Sequence, residues 1–129
     1  MKFDWVMSSR MGGISLIFLV GMIHLVTAPD HFKAAPWIGW SFLVLVLGTL
    51  VAVVGIAQGM GWGWLLGALL AGGAFVAFII SRTAGLPGFG EAIGKWEPMG
   101  IYSLFVEALF ILLAILVGLR ERNTNVHSA

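Results

Sequence analysis

Residues 37–59, WIGWSFLVLVLGTLVAVVGIAQG, run for 23 residues without one charged side chain. At 1.5 Å of rise per residue a helix of that length spans the ~30 Å hydrocarbon layer of a bilayer, for which about 20 apolar residues suffice. Three more stretches of the same kind, at 12–28, 62–80 and 101–119, bring the number of spans to four and the span lengths to 17–23 residues. The whole chain of 129 residues is 60% hydrophobic and 10% charged, with a mean hydropathy of +1.01. A water-soluble domain carries about 25% charged residues. The fold class expected is therefore an all-α membrane protein: one domain of four transmembrane helices in a compact antiparallel bundle, followed by a short, polar and disordered tail at 120–129.

The connections are read from their breakers. Gln58 and Gly59, then Met60 to Gly63, turn the second helix directly into the third, with Trp62 and Trp64 at the membrane interface. Pro29 and the polar residues Asp30, His31 and Lys33 end the first helix, and Pro36 with Trp37 and Trp40 starts the second. The apolar run ending Val26-Thr27-Ala28 has the outline of a signal peptide, but Pro29 would follow the cut, where proline blocks processing, so the first helix is expected to be a retained anchor. Residues 81–100 form the longest connection. Gly85, Pro87, Gly88, Gly90 and Gly94 exclude a periodic element there, and Glu97-Pro98 reads as the start of the fourth helix.

Basic residues on the side of the termini (Lys2, Arg10, Arg120, Arg122) outnumber those opposite (Lys33, Arg82, Lys95), where Asp30, Glu91 and Glu97 also lie. This asymmetry predicts a cell-membrane protein with both termini cytoplasmic. A net charge of +1 gives no reason to expect a nucleic-acid partner. The bilayer is the expected partner, with a larger membrane complex or further copies of the chain. His127 belongs to the tail.

Small residues mark the faces on which membrane helices approach each other. The expected inward stripes are Gly13, Gly21, His24 and Ala28; Ser41, Gly48, Ala52 and Gly59; Gly63, Gly67, Ala71 and Arg82; and Gly100, Ser103, Glu107, Ala114 and Gly118, with Leu, Ile, Val and Phe turned to lipid. Besides Arg82 at the membrane boundary, two ionisable groups fall on these stripes. Rise per residue puts His24 about 7 Å below Pro29 and Glu107 about 10 Å below Gly100, from the same membrane face. An uncompensated carboxylate there costs several kcal/mol, so Glu107 must be protonated, paired or hydrated. The candidate polar site is His24, Glu107 and Arg82 as one cluster, with Glu97, His31, Asp30 and Glu91 around it. Arg82, Glu91 and Glu97 also read as loop-ordering groups.

No cofactor or metal is expected. His24 is the one histidine inside a span, which argues against a haem held by two histidines. His24 and His31 are two turns apart with Pro29 between, which is not metal-ligand spacing. The absence of cysteine removes disulfides and thiolate sites. Catalytic motifs are likewise lacking.

The run SRTAGLPGFG (81–90), then WEPMG (96–100) and the acid of SLFVEAL (103–109), resembles small four-helix membrane proteins common in actinobacteria and related bacteria. Those proteins join an SRTxGLP loop to an EPxG helix start, and their first helix ends in His, Pro and His, matched here by HLVTAPDHF (24–32). Asp30 stands where glutamate is expected. The resemblance implies the same architecture and singles out Arg82, Glu97, Glu107, His24 and His31, but it implies no activity. The leading expectation for function is a non-enzymatic accessory subunit or a module that binds a small ligand. The alternatives are a proton, ion or solute transporter using His24, Glu107 and Arg82, and a membrane enzyme acting on lipid or quinone at the loop.

Overall fold

The computed structural model describes residues 4–128, with side chains described for 4–123; Lys2 and the side chain of His127 lie outside the described residues. Four helices follow one another: α1 (Trp5–Ala34), α2 (Pro36–Ala57), α3 (Gly61–Arg82) and α4 (Pro98–Ser128), with a 3-10 turn at Gly90–Ala92. Among the described residues there is no strand. All four helices are long and apolar enough to cross a membrane. Packing runs in a ring, α1 on α2, α2 on α3, α3 on α4 and α4 on α1, with only slight contact between α1 and α3. The membrane dictates this economy: helices satisfy their own backbone polar groups where no water is available.

Pro29 does not end the first helix. It sits inside α1, which continues to Ala34. Proline removes one backbone donor, and membrane helices tolerate this when neighbouring groups compensate. The break comes from Pro36, whose ring disfavours helical backbone at the residue before it. Ala35 is accordingly extended (φ −155°, ψ 110°), and it alone separates α1 from α2. The expected loop at 29–36 is thus a one-residue corner, and Asp30, His31 and Lys33 ride on the last turns of α1. At the other end of the molecule α4 runs on to Ser128, so 120–128 continue the helix where a disordered tail was expected.

The turn from α2 to α3 closes with Gly59 at φ +75°. The Met60 amide donates to Gly55 and the Gly59 amide to Ile56, at 2.8 and 3.0 Å, which caps the last carbonyls of α2. Just beyond, α2 and α3 touch backbone to backbone. A Cβ on Gly63 would stand 2.5 Å from the Ile56 nitrogen and 2.6 Å from the Gly55 carbonyl carbon, so no other residue fits there.

The core is built from large residues set into the gaps that small ones leave. Ile17, Val20, Ala52, Ile56, Ala71, Val106 and Phe110 are its centre. Trp64, expected at the interface, is buried instead and stacks on Phe110 with ring centroids 5.7 Å apart. Gly13 makes this placement possible, because its missing Cβ is where the Trp64 ring lies. The inward stripes of α1 and α3 are buried as expected. On α2 the buried face is Ile38, Gly39, Thr49, Ala52, Gly55 and Ile56, while Ser41 and Gly59 are exposed. Gly118 of α4 is exposed as well. A small residue permits contact but does not require it, and the corner at Ala35 fixes the rotation of α2.

These contacts set an order of sensitivity for thermal unfolding in detergent. Gly67→Leu forces a side chain into Phe110, whose ring lies 2.5 Å from the position of its Cβ, and should lose about 1–3 kcal/mol of stability. Gly63→Leu meets backbone that cannot rotate away and should lose more. Gly118→Leu faces open space and should leave the melting temperature unchanged.

Candidate binding site

At the loop end of the bundle the helices enclose a hollow of about 250 Å³ whose wall includes His24, His31, Phe42, Arg82, Phe89 and Glu107. His24 and His31 are seven residues apart, two turns, and therefore share one face of α1. Each donates an Nδ1–H to the carbonyl four residues back: His24 to Val20 and His31 to Thr27, both at 2.8 Å. A backbone carbonyl can only accept, so in the neutral imidazoles these bonds fix the proton on Nδ1 and leave Nε2 as the lone pair available to a ligand. Phe42 of α2 lies against both rings, with centroids 4.8 Å from His24 and 4.2 Å from His31.

Glu107 forms the floor and is only 1% exposed. One turn earlier on α4, Ser103 donates its hydroxyl to Glu107 Oε2 at 3.0 Å. His24 Nε2 lies 3.9 Å from the same oxygen, close enough for charge to be felt and too far for a direct hydrogen bond. Oε1 is buried, and no group among the described residues bonds to it. Carboxylate oxygens accept up to two bonds each, and leaving one bare in an apolar setting costs about 1–3 kcal/mol or more. The expected meeting of His24 and Glu107 is therefore found.

Arg82 lines the same hollow but does not compensate Glu107. Its Nε donates to the Lys95 carbonyl at 2.6 Å, one terminal nitrogen to Ser81 Oγ at 2.7 Å and the other to Glu97 Oε2 at 2.8 Å. The guanidinium also lies 4.3 Å from the centre of the Phe78 ring. Arg82 is 5% exposed, whereas the Glu97 side chain is 54% exposed, so this ion pair is a buried cation reaching outward to a wet carboxylate. The Gly94 amide returns a bond to the Arg82 carbonyl at 2.8 Å, with Gly94 at φ +78°. Arg82 and Glu97 thus hold the loop over the hollow, as loop-ordering groups. Asp30 and Glu91 are exposed and do not line it.

The roof is the loop itself. Leu86, Phe89 and Ala92 pack on Ala35, Ile38 and Phe42, and the Trp37 indole donates to the Pro87 carbonyl at 2.8 Å. Phe89 and Phe42 could not be singled out from sequence, since nothing local separates them from the other phenylalanines. Ser103 was expected on the inward stripe of α4, and its place four residues before Glu107 makes it that acid's hydrogen-bond donor.

The mouth lies between α2 and α3. These helices meet at Gly55 and Gly63, are spaced further along by the Leu70 side chain lying on Gly48, and at the loop end leave Ser41, Gly73 and Ala77 exposed on the rim of the hollow. Ser41 and Ala77 each sit five residues in from the helix end, about 7.5 Å below the loop, at hydrocarbon depth. Below Glu107 the packed layer of Val20, Ala52 and Phe110 closes the hollow from the opposite membrane face.

Comparison of the chain with protein-family models, with curated proteins and with solved structures returns no match.

The linkage of His24 and Glu107 is measurable through stability. Glu107→Gln keeps a partner for the Ser103 hydroxyl and should be tolerated better than Glu107→Leu, by about 1–2 kcal/mol. In a double-mutant cycle His24→Ala and Glu107→Gln should be non-additive by at least ~0.5 kcal/mol. Additive effects in detergent unfolding would separate the two residues.

Proposed function

We propose that this chain is a non-enzymatic membrane module that binds a small ligand in the hollow at the loop end of the four helices, and that it serves a larger membrane assembly. The observation that carries this reading is Glu107 Oε1: a buried carboxyl oxygen without a partner among the described residues, in an aromatic-walled hollow with two imidazole rims. Ligand sites have this composition, a mostly apolar lining with a few convergent polar groups. The packed layer beneath Glu107 favours binding over passage, since Val20, Ala52 and Phe110 are fully buried there. Placement in the cell membrane with both termini cytoplasmic follows the basic asymmetry, and the loop at 83–97 then faces outward.

Ala77→Trp plugs the mouth from an exposed position. In native mass spectrometry of protein extracted from membranes, the wild-type chain should carry a small-molecule adduct that Ala77→Trp lacks. Identical spectra without any adduct would overturn the reading. Single cysteines at Gly88 and Asn123 should label oppositely with an impermeant thiol reagent on intact cells, Gly88→Cys from outside only; the reverse would invert the topology.

A further inference from the structure

We infer that the ligand is a lipid-soluble 1,4-dihydroxy aromatic ring, a quinol, entering sideways from the bilayer and held at its two ends by His31 and Glu107. This rests on the ligand-binding reading above and names its chemical class. The first argument is the direction of hydrogen bonding. Both imidazoles direct their Nδ1–H to backbone carbonyls, which leaves Nε2 lone pairs, and Glu107 Oε1 stands bare. The imidazole acceptors select a ligand that donates, and Glu107 serves in either state: ionised it accepts from the second hydroxyl, protonated it donates to that hydroxyl's oxygen. A quinol brings two hydroxyl donors, whereas a quinone offers carbonyl oxygens, which only accept.

Length is the second argument. His31 stands two turns from His24, about 10 Å along α1, and Glu107 lies at the level of His24. The two oxygens of a 1,4-dihydroxy ring are about 5.5 Å apart, and a hydrogen bond of about 2.8 Å at each end brings the reach to about 11 Å. A single hydroxyl could satisfy one end only. The ring between them would lie against Phe42, which already touches both histidines. A volume of about 250 Å³ takes a ring head but not a long chain, so the tail has to leave. The mouth at Ser41, Gly73 and Ala77 releases it among the lipid acyl chains. Only binding is inferred; each hydroxyl keeps its hydrogen.

Three probes with one decyl tail decide the matter: the 1,4-benzoquinol, its dimethyl ether and the corresponding benzoquinone. Binding is read by isothermal titration calorimetry on the detergent-solubilised chain, anaerobically for the quinol. The expected result is one quinol per chain, bound at least tenfold more tightly than either the ether or the quinone, because each of those lacks both donors. His31→Phe keeps a ring against Phe42 and Phe89 and removes the acceptor; it should lower quinol affinity roughly five- to tenfold and leave the quinone unaffected. Equal binding of the three probes, blocked by Ala77→Trp, would overturn the quinol while leaving the binding reading intact. So would an adduct from native membranes, such as a fatty acid or phospholipid, that the quinol fails to displace. Quinol binding that Ala77→Trp does not weaken would place the ligand elsewhere and overturn the site.

Discussion

The loop side of this protein depends on where one guanidinium is directed. Arg82 ends α3 with its charge buried, a placement that is costly unless the guanidinium is paired and hydrogen-bonded, and each of its three nitrogens has an acceptor. Its three bonds reach its own neighbour Ser81, the far end of the loop at Lys95 and the residue before α4 at Glu97. One side chain thereby fixes the end of α3, the path of residues 83–97 and the entry of α4. A lysine could not do the same, because a point charge on a flexible stem does not hold three diverging acceptors in place.

The opposite end of α3 is held by absence. Gly63 and Gly55 let the backbones of α2 and α3 touch, and the loop end of the same pair is bridged by residues rather than by helix contact. The two ends together produce a wedge: closed at the turn, open beneath the loop, with the mouth on the lipid-facing side. Neither feature would make a hollow alone.

Four spans, their order and the start of α4 at Pro98 were legible because length, hydropathy and proline geometry are local properties. The pairing of His24 with Glu107 was legible too, since rise per residue fixes depth and small neighbours fix the face. Other features depend on several elements at once and have no local signal. Pro29 reads as a terminator until α1 is seen to continue through it, with Pro36 stopping the helix through Ala35. Trp64 looks interfacial until Gly13 supplies the space that draws it inward. Arg82 was placed correctly at the end of α3 but grouped with the wrong acid. Its depth is a matter of counting; its choice of Glu97 depends on a loop whose course the sequence encodes only through glycines.

The lateral mouth has a consequence for occupancy. A hydrophobic molecule dissolved in a bilayer is confined to a thin layer, where its local concentration far exceeds that in the surrounding water. A hollow that samples this layer fills even when each encounter is weak: a molecule present at about 1 mM in the lipid half-fills a site worth only about 4 kcal/mol. The two hydrogen bonds and one aromatic contact proposed for a quinol are of that order. Weak holding also means rapid release, so the site would track the composition of the membrane in real time instead of storing what it once caught.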